Sequence, residues 1–137
     1  LLPSLGDCNL IVTNCDIVTN LDFNTLVNFH LNNSADCTLS VANYRHEIPF
    51  GVVKYDRNGN YLRIEEKPDI NEYVYAGICC LSSSFLNLSL PRKKIDMPDF
   101  LQKGHENGLN ISIFPIHEKW NDVGSPEDFK ILEKFKL

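Results

Sequence analysis

Leu10–Val18 reads LIVTNCDIV. The continuous apolar run Leu10–Thr13 has the character of a short strand covered on both faces. It stops at Asn14, Cys15 and Asp16, then turns apolar again. Burying a carboxylate without a partner costs several kcal/mol. Asp16 therefore either marks the point where the strand leaves a sheet or has a cation to hold. Upstream, Leu1, Leu2 and Leu5 are spaced like the tail of a helix. Downstream, Asp22 suits an N-cap for a helix to about Asn32, with Phe23, Leu26, Val27 and His30 on one face. Cys37–Ala42 (CTLSVA) alternates as a strand. The order helix, strand, helix, strand predicts an α/β sheet with parallel neighbours.

The middle changes character. FGVVKYD and YLRIEEK flank Arg57-Asn58-Gly59-Asn60, and Asn-Gly between strand-like runs predicts a hairpin. Pro68 ends the second strand, because it cannot donate to a ladder. A polar loop, DINE, is expected next, then a strand over Tyr73–Leu81 (YVYAGICCL). A short helix is expected over Ser82–Leu90, another over Pro98–His105 ending near Gly104, and a strand over Ile111–Ile116. Ser125, Pro126 and the acids after them predict a final helix.

At 137 residues one domain is expected, burying roughly two-thirds of its unfolded surface. A net charge of −5 argues against a nucleic-acid backbone or an anionic membrane as partner. Arg92, Lys93 and Lys94, the one basic cluster, sit beside a proline and read as a solvated loop. No apolar stretch approaches the roughly 20 residues that span a bilayer, and no signal peptide is visible, so a cytoplasmic location is expected. The five cysteines are an odd set without a C-x-x-C pair, which predicts reduced thiols and no zinc site. The four histidines lack ligand spacing and read as surface or helix-end residues.

Five short segments carry chemistry: TNCD (Thr13–Asp16), PFGVV (Pro49–Val53), EEKP (Glu65–Pro68), YAG (Tyr75–Gly77) and WNDVG (Trp120–Gly124). Each alone has an ordinary structural explanation. In this order and spacing, with the IPFGVVKYDRNGN hairpin and the IDMPDFL helix start, they resemble the sugar-1-phosphate nucleotidyltransferases. That family includes glucose-1-phosphate thymidylyltransferase and mannose-1-phosphate guanylyltransferase.

The resemblance implies a Rossmann-like mixed α/β sheet flanked by helices. It assigns Asp16 and Asp122 to Mg²⁺, an ion that takes one or two carboxylates plus phosphate oxygens and water. Asp16 then lies at the carboxyl end of its strand, where open α/β sheets place ligands. Lys67 is assigned to the phosphate of the sugar-1-phosphate, Glu66 to sugar hydroxyls, and Gly51 to a close approach of sugar and backbone. Tyr75, Ala76 and Gly77 match the strand that closes over the sugar. Lys67 is expected in the same cleft as the aspartates. The implied reaction joins a nucleoside triphosphate, GTP favoured over dTTP, to a sugar-1-phosphate, giving an NDP-sugar and pyrophosphate.

Two positions depart from the family, which has Gly where Cys15 stands and Asn where Tyr75 stands. The family's opening glycine-rich loop, G-x-G-[TS]-R-[LM]-x-P-x-[TS], has no counterpart here. Residues 1–137 are thus expected to form the C-terminal part of a single nucleotidyltransferase domain, truncated at its N-terminal side. Such a piece should be inactive alone, with an uncovered sheet edge that invites homo-oligomers. The alternative is a non-catalytic sugar-phosphate-binding, regulatory or assembly module derived from the family. A generic dinucleotide binder lacks any G-x-G-x-x-G support.

Overall fold

The computed structural model describes residues 8–88 and 94–124. The expected helices at residues 1–5 and from Ser125 onward lie outside them, as does the end of the helix expected over Ser82–Leu90. The chain divides into two compact units, one of residues 1–42 and 75–137, the other of residues 43–74.

β1 (Leu10–Thr13), β3 (Cys37–Glu47), β6 (Asp69–Leu81) and β7 (Ile111–Ile116) form a sheet of order β1-β6-β3-β7, in which the end of β3 from Asn43 and the start of β6 through Val74 belong to the second unit. The sheet is mixed. β3 and β7 run parallel, with Cys37 opposite Ile111 and Ala42 opposite Ile116. β1 runs antiparallel to β6, with Leu10 opposite Leu81 and Thr13 opposite Ile78. The parallel neighbour expected for β1 is therefore replaced: β6, arriving much later in the sequence, inserts between β1 and β3. At the edge of the sheet formed by the described residues, β1 is only partly buried, where full burial on both faces was predicted.

Helix α1 (Phe23–Asn32) begins where predicted, with Asp22 Oδ1 accepting from Asn24 N at 2.9 Å. Its Leu26 and His30 are buried, while Phe23 is 39% exposed. The inward face is completed by Phe29, edge-on to Phe114 with centroids 5.2 Å apart. His30 is buried rather than superficial, and both ring nitrogens are engaged: Nδ1 with Thr38 Oγ1 and Nε2 with Ser82 Oγ, each at 2.9 Å. The Ser82 hydroxyl spends its proton on Ala35 O at 2.8 Å. His30 Nε2 must then carry the hydrogen, and Nδ1 accepts from Thr38, so one neutral tautomer satisfies every group.

Successive residues of a strand face opposite sides, so with α1 over Thr38, the Cys37 side of the sheet belongs to another layer. There Cys37, Cys79, Leu81 and Phe85 form a buried cluster, covered by Met97, Phe100 and Leu101. Phe85 comes from α2 (Ser83–Leu86) and the three covering residues from α3 (Met97–Glu106). The Cys37 thiol is held above its usual range by its hydrogen bond to Cys79 and by burial, and burial pushes Cys80 up to about 11. All five cysteines are free.

Two expectations about breakers are corrected. Gly104 does not end α3; it is buried inside it, because a Cβ there would lie 2.2 Å from Phe85 Cζ. The helix ends instead ahead of Gly108, whose φ of 77° only glycine adopts readily. DINE is not a loop but the first residues of β6.

In the second unit β4 (Val52–Tyr55) and β5 (Tyr61–Glu65) make the predicted antiparallel hairpin, Val52 opposite Glu65. Asp56 organises its loop: Oδ1 accepts from Asn58 N at 2.8 Å and Asn60 N at 2.9 Å. These bonds, the Asn60 side chain foremost, hold its carboxyl below the usual range. In the same unit Arg45 pairs with Asp69, and Ile48 N donates to Pro68 O at 3.0 Å. Those contacts explain why polar DINE is strand: it pairs with the exposed half of β3.

Gly104→Ala should lower stability by about 1–2 kcal/mol, since overpacking against Phe85 outweighs the roughly 1 kcal/mol gain in helix propensity. Urea unfolding checks this, and adding Phe85→Leu should recover part of the loss. A second expectation concerns acid. Burial lowers the His30 pKa from 6.5, with Asp36 opposing. The unfolded chain then binds the extra proton first, so this contribution is complete above pH 6.5 and declines as pH falls below it. The slope is at most about 1.4 kcal/mol per pH unit. Urea midpoints between pH 7.5 and 5 should fall more steeply for wild type than for His30→Gln.

Candidate functional site

The site is built where β1 ends. Asn14 N donates to Gly77 O at 2.8 Å, tying the chain after Thr13 to β6. Gly77 has φ 72° in the middle of that strand, and a Cβ there would lie 2.9 Å from Asn14 Nδ2 and 3.0 Å from Ile17 Cγ1. Glycine is required twice over, by its backbone and by its neighbours.

Beyond Asp16 the chain forms β2 (Ile17–Thr19), which pairs antiparallel with β8 (Trp120–Asp122). Ile17 stands opposite Asp122, and Val123 N donates to Asp16 O at 2.9 Å. The backbones of the two predicted aspartates are thus brought side by side, and both residues are exposed. The far end of the ribbon is closed by Thr19 Oγ1 and Asn20 N, which donate to Lys119 O at 2.8 and 3.0 Å. Trp120 Nε1 donates to Ala76 O at 2.8 Å.

The YAG residues hold this assembly from below. Ala76 and Gly77 are buried, and their carbonyls receive Trp120 and Asn14. Tyr75 is half-buried, with its hydroxyl beside the Cys79 thiol; burial first, then Cys79 and Cys37, raise its pKa above the usual phenol range.

Gly51, Glu66 and Lys67 belong to the second unit. A Cβ on Gly51 would lie 3.0 Å from Ile64 Cγ2 and 3.1 Å from Glu66 Oε2, so the Glu66 carboxylate lies over the bare glycine backbone. Lys67 is exposed and has φ 44°, an uncommon value for a residue with a side chain. That conformation costs on the order of 1–2 kcal/mol and is the kind of strain found at ligand clamps.

The donor chemistry near Asp16 fits Mg²⁺. Asp16, in the turn before β2, and Asp122, at the end of β8, are exposed carboxylates, the hard oxygen donors that this ion takes. A two-carboxylate site leaves the remaining positions to water and phosphate. A separate cleft of about 340 Å³ beside His30 and Asp36 lies near the start of β1, the opposite end from Asp16. Trp120, Asn14 and His30 are the residues that sequence reasoning left without a role. A half-buried tryptophan whose indole N–H needs an acceptor is the one signal that pointed to the first.

A family profile described as nucleotidyl transferase matches residues 4–136. Mannose-1-phosphate guanylyltransferase catalytic subunit beta of Drosophila melanogaster is 29% identical over 124 residues, 86% of this chain and 32% of that protein. Mannose-1-phosphate guanyltransferase of Yarrowia lipolytica is 28% identical over 127 residues, 90% of this chain and 34% of that protein. The chain thus spans about a third of the length of these relatives. Among solved structures, HddC from Yersinia pseudotuberculosis aligns with TM-score 0.64 and 24% identity, over 93% of this chain and 56% of that one. Its complex with GMP-PN gives 0.63. This likeness shows the Rossmann-like fold. With nearly its whole length matched by the profile, the chain belongs to the nucleotidyl transferase family.

Proposed function

We propose that this chain carries the metal-binding and sugar-phosphate-binding residues of an enzyme making an NDP-sugar and pyrophosphate from an NTP and a sugar-1-phosphate. The observation that carries the reading is the β2–β8 pairing, which sets Asp122 opposite Ile17 and ties Val123 to Asp16. Asp16 and Asp122 would hold Mg²⁺, which supplies neutralisation of the charge that develops on the phosphates. A sugar phosphate oxygen attacks the α-phosphorus in line, and pyrophosphate leaves. Positioning and electrostatics carry such a reaction, with little covalent work for the protein.

Lys67 supplies an ammonium for the sugar phosphate, and Glu66 accepts hydrogen bonds from sugar hydroxyls laid against Gly51. GTP is the favoured nucleotide, supported by relatives that are mannose-1-phosphate guanylyltransferases. The reading implies a cytoplasmic enzyme; no helix among the described residues is long and apolar enough to cross a membrane. Among the described residues β1 is an edge strand, and such an edge would offer a strand for pairing between copies of this chain. Concentration-dependent sedimentation would show such a homo-oligomer.

In the intact enzyme Asp122→Asn should lower turnover roughly 100-fold or more while leaving the thermal midpoint nearly unchanged, because it removes charge stabilisation and not packing. Steady-state kinetics beside a melting curve measures both. Near-normal turnover would return Asp122 to a simple role as a strand-end residue.

A further inference from the structure

We infer that Trp120 is a positioning residue for Asp122, acting through the hydrogen bond from its indole N–H to the Ala76 carbonyl. The inference rests on the reading of Asp16 and Asp122 as metal ligands. Strand β8 is three residues long and, among the described residues, pairs only with the equally short β2. A two-stranded ribbon of this length is marginal by itself. Its backbone ties close the ribbon on itself: Val123 N to Asp16 O at one end, Asn20 N to Lys119 O at the other. The bond from Trp120 Nε1 to Ala76 O, 2.8 Å, instead reaches out to β6, where Ala76 is fully buried.

Trp120 and Asp122 are two residues apart on one strand, so their side chains leave the same face. Fixing the indole therefore fixes the twist and register of the residue that presents the Asp122 carboxylate. The anchoring strand also receives the other aspartate segment. Ala76 is followed by Gly77, whose carbonyl receives Asn14 N, two residues before Asp16. Both aspartate segments are thus referred to consecutive carbonyls of β6. Outer partners that orient metal ligands are commonly worth 10–100-fold in metal affinity.

The test uses Mn²⁺ as a paramagnetic probe of a hard divalent site, read by electron paramagnetic resonance, beside melting curves. Trp120→Phe keeps an aromatic ring and removes the N–H. Trp120 is the sole tryptophan of the chain, so feeding benzothienylalanine replaces that one N–H by sulfur and keeps the two-ring shape. The expected result is Mn²⁺ affinity reduced about tenfold in both variants, with Asp122→Asn reduced at least as far. A lowered melting point with unchanged Mn²⁺ affinity in the benzothienyl protein, while Asp122→Asn loses the ion, would overturn the positioning role and leave the metal assignment standing. Wild-type Mn²⁺ binding in both Asp16→Asn and Asp122→Asn would overturn the metal assignment itself, and the role of Trp120 with it. If Trp120→Phe fails to fold, the benzothienyl protein decides alone.

Discussion

Two consecutive carbonyls of one strand hold the candidate centre together. Ala76 O and Gly77 O accept the Trp120 indole and the Asn14 amide, each at 2.8 Å. A carbonyl buried without a donor would cost about 1–3 kcal/mol. The strand's own demand for partners therefore drives the TNCD and WNDVG segments onto it. The left-handed backbone of Gly77 makes this possible, since any side chain would strike Asn14 and Ile17. The short β2–β8 ribbon and the neighbouring aspartates follow from that arrangement.

The second unit obeys different rules. Its hairpin leaves Val53, Tyr55, Leu62 and Ile64 about half or more exposed, so burial contributes little to its shape. Asp56 fixes the loop through three backbone and side-chain bonds, and Glu65 gathers Lys54 and Arg63. Exposed ion pairs of this kind contribute at most about 1 kcal/mol each. What they supply is register rather than large stability.

Elements specified by local chemistry were legible in the sequence: the Asp22-capped α1, the Asn-Gly hairpin, and the apolar strands at Leu10 and Ile111. Those that depend on a distant partner were not. DINE has no apolar alternation because it lies beside the exposed end of β3, where Arg45 holds Asp69, so composition alone reads it as loop. Gly104 has the look of a helix stop, but its reason is the Phe85 ring, an element away in sequence. For the candidate site, motif order singled out the Asp16 and Asp122 segments, which the β2–β8 ribbon sets side by side. The work of Ala76, Gly77 and Trp120 could not, because it lies in main-chain carbonyls that no residue type advertises.

The backbone of Lys67 has a consequence for how this chain can change. With φ at 44° immediately before Pro68, the position would be more comfortable as glycine. A chain drifting under selection for stability alone would gain from that exchange and lose the ammonium. Lysine there carries a cost in fold stability, which the phosphate contact proposed for its ammonium would offset. If Lys67 has the proposed role, a relative without it would be free to carry glycine or asparagine at this position, with a firmer hairpin.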